Sequence, residues 1–333
     1  MDLYLIIVII MLALAVSGLV VGVANDAVNF LNSALGSKAA PRYVIMTVAS
    51  VGIIVGAITS NGMMEVARSG VFHPEMFTFA EVMLLFLAVM FTNVILLDIF
   101  NTLGMPTSTT VSLVFGLLGA AVGISIFKIA NDALVTLPDG SLATMADMIN
   151  TGNAMAIIGG ILISVVIAFV CGTVVMYITR LIFSFRYQSK LKSYGAVWCG
   201  IALTAISYFA VFKGLKGTQV IPADWMSWME GHIPMMLGGL LVGWSLIMSI
   251  LSMLKVNILR ITVLAGTFSL ALAFAGNDLV NFIGVFVAGV DAYDIVRTTG
   301  DTNMLMGGLN DPVVANLLIL FLSGAVMVVT LWF

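Results

Sequence analysis

Two copies of one polar peptide stand out in a chain that is otherwise apolar. Asn25-Asp26-Ala27-Val28-Asn29-Phe30 returns as Asn277-Asp278-Leu279-Val280-Asn281-Phe282, with five of six residues shared. Each copy sets a carboxylate among amides, directly after an apolar stretch and far from any basic residue in the sequence. An ionised carboxylate at membrane depth costs about 2.5–3.5 kcal/mol on insertion scales, so an Asp kept there has chemistry to do. Carboxylate and amide oxygens together form a hard oxygen site, suited to Na⁺ or to carrying a proton. Asp26, Asn29, Asp278 and Asn281 are therefore the candidate ligands of a cation. The plainer alternative is that each motif caps a helix end, where Asn and Asp are favoured. Capping needs one residue, however, and does not require Val, Asn and Phe at fixed spacing.

The second cluster is Gly104-Met105-Pro106-Thr107-Ser108-Thr109-Thr110, with Ser112 beyond it. Pro106 suits the first turn of a helix, where its missing N–H costs nothing. Thr107, Ser108, Thr109 and Thr110 then line that turn beside its free backbone N–H groups. Amides and hydroxyls donate there, and the helix dipole adds roughly half a positive charge. A phosphate or sulfate could be held without any Arg. An ordinary helix start with back-bonded Ser and Thr is the competing reading. Asn93 and Asp98, near the end of the preceding apolar run, point towards this cluster, although a helix end facing water explains Asp98 equally well.

The elements that position these residues follow from composition. The chain of 333 residues is 61% hydrophobic and 9% charged, against about 25% charged in soluble domains. Continuous apolar runs near twenty residues recur, as a helix crossing a bilayer requires, and they lack the alternation of barrel strands. Spans are expected near Leu3–Ala24, Tyr43–Gly62, Phe79–Phe100, Pro106–Phe127, Ala154–Phe183, Tyr194–Phe212, Pro234–Leu254 and Ile261–Phe274, followed by Phe282–Val290 and Val313–Phe333. The first is a retained span rather than a signal peptide, because it lacks a basic leading region. Pro138-Asp139-Gly140 and the polar stretch from Gly214 to Gly231 read as loops.

Lys and Arg set the orientation. Arg180, Arg186, Lys190 and Lys192 place one loop in the cytoplasm; Lys255 with Arg260 and Lys38 with Arg42 fall on the same side, and the acidic 132–147 segment falls outside. Lys213, Lys216 and Arg68 dissent. By this count the first motif is entered from outside and the second from inside. The offset between copies is 252 residues (277 minus 25), too long for a solenoid and suited to a duplicated unit of inverted topology. The expected fold is thus all-α, a polytopic transmembrane helical protein with inverted-topology repeats. Residues 1–130 form the first repeat, 131–254 connecting helices and loops, and 255–333 the start of a second repeat.

Other features have bland readings. Gly116, Gly119 and Gly123, like Gly52 and Gly56, form small-residue faces for close helix packing. Cys171 and Cys199 are small buried apolar residues rather than a disulfide or metal site. His73 and His232 lack ligand spacing, and a net charge of −3 gives no case for nucleic acid. No nucleophile–base pair, metal-ligand spacing or nucleotide phosphate loop is present, so an enzyme is not expected, nor any cofactor.

With both clusters in hand, the chain resembles the PiT-type inorganic phosphate transporter family. That family's signature is a duplicated Gly-Ala-Asn-Asp-x-x-Asn element, each copy followed by Pro-x-Ser-Thr-Thr. Here the first pair reads Val23-Ala24-Asn25-Asp26-Ala27-Val28-Asn29 and Pro106-Thr107-Ser108-Thr109-Thr110; the second opening element reads Ala275-Gly276-Asn277-Asp278-Leu279-Val280-Asn281. Val23 and Ala275 depart from the family's Gly, and Val111 stands where it often has His. At the same offset a second Pro-x-Ser-Thr-Thr would begin near residue 358 (106 plus 252), beyond Phe333. On this reading the chain is a fragment or shortened form of the two-repeat unit.

The resemblance implies import of inorganic phosphate by symport with Na⁺ or H⁺ and alternating access, with the hydroxyl elements on re-entrant helical hairpins. Phosphate would then be bound by Thr107, Ser108, Thr109, Thr110, Asn25 and Asn277. Sulfate carried by the same fold is the alternative substrate; a cation channel or a non-transporting membrane subunit are alternatives of other classes. The expected partners are the oxyanion, the lipid bilayer of the cell (inner) membrane and, as an option, further copies in a homo-oligomer.

Overall fold

The computed structural model describes residues 2–60, 69–137, 140–184, 187–215, 221–311 and 316–333. Arg68, Arg186 and Lys216 of the charge count, Pro138-Asp139 of the turn, part of the polar stretch after Gly214, and the predicted span ends at Gly62 and Val313 lie outside these residues. Ten helices carry the fold among the described residues: α1 (Asp2–Gly36), α2 (Arg42–Ile58), α3 (Phe79–Thr102), α4 (Thr109–Ala130), α5 (Thr151–Phe183), α6 (Tyr187–Phe209), α7 (Ala223–Gly231), α8 (Ile233–Met253), α9 (Ile258–Thr299) and α10 (Leu317–Trp332). Short single turns and a π-helical stretch at Ala210–Leu215 interrupt them. Strand-like pairing among the described residues is confined to isolated bridges. Among the described residues, seven helices (α1, α3, α4, α5, α6, α8 and α9) are long and apolar enough to cross a membrane, and α2 and α10 are shorter apolar helices. The protein is all-α and multi-pass.

The largest departure from the expected spans is continuity. The first span was to end at Ala24 and the motif to follow it; instead α1 runs unbroken through Asn25–Phe30 to Gly36. The predicted segments Ile261–Phe274 and Phe282–Val290 likewise fuse into α9, 42 residues long, with the second motif near its middle. Asn and Asp favour helix ends when their side chains bond the local backbone. In these motifs Asn25, Asp278 and Asn281 have partners elsewhere, so the helix is not interrupted. Where helices do end, left-handed residues close them. Lys38, Gly104, Asp132 and Lys255 have positive φ, and the residue after each donates to a carbonyl five positions back, the six-to-one bond of a Schellman turn.

The chain divides into two compact units, residues 1–27, 60–161 and 277–333 in one and 28–59 and 162–276 in the other. In the first unit, α1 buries Met11, Ala15, Leu19 and Val23, a stripe at helical spacing, and Asp26 is the next residue on it. Ile6, Ile9, Leu12, Val16 and Val20 on the other side are exposed, as suits a lipid-facing flank. The ring of Phe282 lies against Gly22 so closely that an added methyl would run into it.

Helices α3 and α4 form an antiparallel hairpin in this unit. At its base Thr78 and Glu81 make a capping box, with the Thr78 N–H donating to Glu81 Oε2 at 2.7 Å. Lys128, in the last turn of α4, is 2% exposed; its Nζ donates to Glu81 Oε2 at 2.8 Å and to the Met76 carbonyl at 3.1 Å. The predicted span stopped at Phe127 and carried no basic residue, whereas α4 continues to Ala130 and includes this lysine. Its apolar stem packs within the unit while the paired head meets the cost of burial. Two further segments knit onto the hairpin base. The His73 N–H donates to the Met148 carbonyl at 2.9 Å, and Phe79 and Met306 exchange bonds with Met304 and Phe77 at 3.0 Å each.

In the second unit, Gly52 and Gly56 of α2 approach the backbone of α9, where a methyl at Gly56 would overlap the Leu272 carbonyl. Close approach through small residues is how helices pack without a hydrophobic drive between them, as the glycine pattern led us to expect at these two positions. Gly119 and Gly123 of the first unit differ, for nothing among the described residues comes within 4 Å of a Cβ built there. Cys199, Leu203, Met248 and Ile258 form the core between α6, α8 and the start of α9; Cys171, expected to be buried as well, is exposed on α5 beside the exposed Phe169, Val170 and Val174.

Candidate functional site

Both motif carboxylates and the hydroxyl turn belong to the first unit, at the tip of the α3–α4 hairpin. The turn begins where Gly104, with φ +67°, ends α3 in a conformation that suits a residue without Cβ. Helix α4 then starts at Thr109, with Ser108 as N-cap accepting from the Val111 N–H at 3.3 Å. Pro106 therefore precedes the cap instead of occupying the first helical turn. The first two N–H groups of α4, on Thr109 and Thr110, have no carbonyl one turn back to receive them.

Three asparagines hold this tip. Asn25 of α1 donates through Nδ2 to the Thr107 carbonyl at 2.7 Å and accepts the Thr107 N–H on Oδ1 at 3.3 Å. Its Nδ2 also reaches Asp26 Oδ1 at 3.0 Å. Asn281 of α9 donates to Thr110 Oγ1 at 2.9 Å, Thr109 Oγ1 at 3.2 Å and Asp278 Oδ1 at 2.9 Å. Asn101, at the end of α3, donates to the Val21 carbonyl of α1 at 2.8 Å. Behind the turn, the Ser112 hydroxyl donates to Asn93 Oδ1 at 2.6 Å. A cavity of about 10 Å³ lies between Asn93 and Asn281, room for one water.

The electrostatics are one-sided. Asp26 is 5% exposed, and its Oδ2 has no hydrogen-bond partner among the described residues. Asp278 accepts from Asn281 and, at 3.5 Å, from the Thr110 hydroxyl, and the two carboxylates are near enough to repel each other. A buried, unpartnered carboxylate oxygen is costly unless a cation or proton meets it. Across the turn stand hydroxyls and free helix N–H groups, which are donors to an anion. An acidic side and a donor-rich side thus adjoin, linked by Asn25 and Asn281.

Of the residues singled out from sequence, Asn25, Asp26, Thr107, Thr109, Thr110, Asp278 and Asn281 come together here. Ser108 is exposed as the cap, and Asn277 is exposed on α9. Asn29 falls in the second unit and is also exposed. Asn93 joins through Ser112; Asp98 is exposed and does not. Asn101 went unnoticed in the sequence. Its signal was a lone amide four residues before the hydroxyl-rich turn begins at Met105.

A protein of Thermococcus kodakarensis that carries the name of a phosphate permease is 25% identical over 200 residues, which cover 59% of this chain and 45% of that protein. The match thus spans less than half of that relative's length. A solved structure of a sodium-dependent phosphate transporter superposes with a TM-score of 0.66 at 18% identity, covering 98% of this chain and 75% of that one; at this identity the likeness is one of fold. The profile of the Phosphate transporter family matches residues 22–333, which include both Asn-Asp motifs and the hydroxyl turn. This chain belongs to the phosphate transporter family, whose members are transporters and not enzymes.

Proposed function

We propose that this chain carries the substrate site of a secondary active transporter of the cell membrane, importing inorganic phosphate by symport with Na⁺ or H⁺ through alternating access. The observation that carries the reading is the junction at Asn281, where one amide touches Thr109, Thr110 and the carboxylate of Asp278. Phosphate sits on the hydroxyls of Thr107–Thr110 and the leading N–H groups of α4. Coupling cations sit on Asp26 and Asp278, with Asn281 beside them through its bond to Asp278. Asn277, exposed on α9, is available to the phosphate.

Coupling follows from charge. An oxyanion beside two bare carboxylates is repelled, so phosphate binds well only after cations have neutralised Asp26 and Asp278. The same acidic neighbours favour phosphate over sulfate. Hydrogen phosphate has an O–H to donate to a carboxylate, whereas sulfate only accepts.

The two-repeat reading, with 1–130 as the first repeat and 255–333 as the start of the second, is supported by reciprocal contacts at the 252-residue offset. Phe282 packs on Gly22, and Phe30 packs on Phe274 with ring centroids 5.3 Å apart. Adding 252 to 22 and 30 gives 274 and 282, so the two contacts are one contact with its partners exchanged.

The test is labelled phosphate uptake into proteoliposomes under an imposed Na⁺ or H⁺ gradient. Asp26→Asn and Asp278→Asn should each abolish gradient-driven uptake while the protein still inserts. Wild-type rates in both variants would refute the reading, and so would current without accumulation, the mark of a channel. Equal competition by sulfate would refute the substrate assignment alone.

A further inference from the structure

We propose that Asn25 is a positioning residue rather than a ligand: its side-chain amide clasps the Thr107 peptide and so transmits cation occupancy at Asp26 to the anion-binding turn. The inference rests on the phosphate reading above and deepens it.

The argument begins with the inventory of one amide. A carboxamide offers two hydrogens on nitrogen and one oxygen acceptor. In Asn25, Nδ2 donates to the Thr107 carbonyl at 2.7 Å and to Asp26 Oδ1 at 3.0 Å, and Oδ1 receives the Thr107 N–H at 3.3 Å. Both hydrogens are engaged and the oxygen already holds an N–H. With Asn25 only 4% exposed, no donor remains to turn towards an anion. The two bonds to Thr107 form a closed amide-to-peptide pair, of the kind that joins neighbouring strands. They fix the plane of the Thr107 peptide two residues before α4 begins, and hence the direction in which the turn presents its hydroxyls. They depend on the Thr107 backbone and not on its side chain.

The third bond makes the clasp sensitive to charge. Asp26 Oδ1 receives Asn25, while its buried Oδ2 receives nothing among the described residues. A cation that settles on this carboxylate withdraws electron density from Oδ1 and weakens its hold on Nδ2, which leaves the Thr107 carbonyl as the better acceptor. Cation arrival thus tightens the clasp on the turn. Asn281, the hub on the second motif although at a different motif position, bonds hydroxyls and a carboxylate and not backbone. The two motif copies therefore divide the work, Asn25 orienting the peptide and Asn281 orienting the side chains.

The experiment uses the full chain in lipid nanodiscs, as wild type, Asn25→Ala and Thr107→Ala, with Asn25→Ser replacing the alanine variant if the latter does not purify as a single species. The first readout needs no phosphate: hydrogen exchange at the Thr107 amide, resolved by mass spectrometry of the 104–111 segment. Losing the clasp should speed exchange about tenfold in Asn25→Ala, and leave it within about twofold of wild type in Thr107→Ala. Unchanged exchange in Asn25→Ala would overturn the clasp. The second readout is phosphate affinity with and without Na⁺, or with and without acidification where Na⁺ has no effect. Wild type should gain about fivefold or more from the cation, and Asn25→Ala less than about twofold. A variant that loses cation-free affinity but keeps the full cation effect would make Asn25 a direct ligand and overturn the proposal. No phosphate binding by wild type would refute the underlying site, while the exchange readout would still decide the clasp.

Discussion

Replacing Asn281 by alanine tests the junction of the two half-sites most directly. Its Nδ2 faces three acceptors, at 2.9, 2.9 and 3.2 Å, but has only two hydrogens. Two bonds, not three, are therefore lost at any instant. A net contribution of about 0.5–1.5 kcal/mol for each bond gives a total of about 1–3 kcal/mol, or about a 5- to 150-fold loss at 1.4 kcal/mol per decade. The upper half of that range is expected, because Thr109 is 3% exposed and its hydroxyl loses a partner where water cannot readily replace it. The assay is the phosphate concentration for half-maximal uptake into proteoliposomes, with thermal stability followed alongside to separate affinity from folding. Asn281→Asp should be worse than alanine, since it removes both donors and adds a charge next to Asp278. Phosphate dependence within twofold of wild type in Asn281→Ala, or a better result with Asp than with Ala, would refute the role assigned to this amide.

Two further outcomes concern stability. Lys128→Met leaves Glu81 without its cation and should cost about 2–4 kcal/mol, whereas the double variant Lys128→Met/Glu81→Gln should recover at least half of the loss by thermal unfolding, because Gln keeps the capping box. Gly56→Val, which drives a branched side chain into the α9 backbone at Leu272, should destabilise by at least about 1–3 kcal/mol, read as a lower melting temperature and reduced yield of inserted protein.

The motifs were legible because they break a strong background: in a chain 9% charged, Asp within an apolar stretch is conspicuous, and so are four hydroxyl residues in a row. The all-helical, multi-pass fold was legible from run length alone. Continuity of α1 and α9 was not, because local preference puts Asn and Asp at helix ends, and only the partners at Thr107, Thr109 and Thr110, more than 80 residues away in sequence, remove that preference. Lys128 was missed for a related reason. One charge at the end of an apolar run reads as a helix leaving the membrane until Glu81 is seen at the matching end of the antiparallel partner. The distinction between Asn25, wholly engaged, and the exposed Asn277 at the same motif position has no sequence signal at all.

The α3–α4 hairpin has the mechanics of a beam clamped at one end. Its base is fixed by a buried ion pair, a capping box and strand-like bonds from two other segments. Its tip is held to α1 and α9 by the side chains of Asn25, Asn101 and Asn281. Each of these bonds has a net value of about 1 kcal/mol, a few times thermal energy at most. Deflection is therefore cheapest at the end that carries the hydroxyls, and a few bonds exchanged there can swing the hydroxyl turn without disturbing the root. In such a beam stiffness and movement do not compete, because they reside at opposite ends of the same two helices.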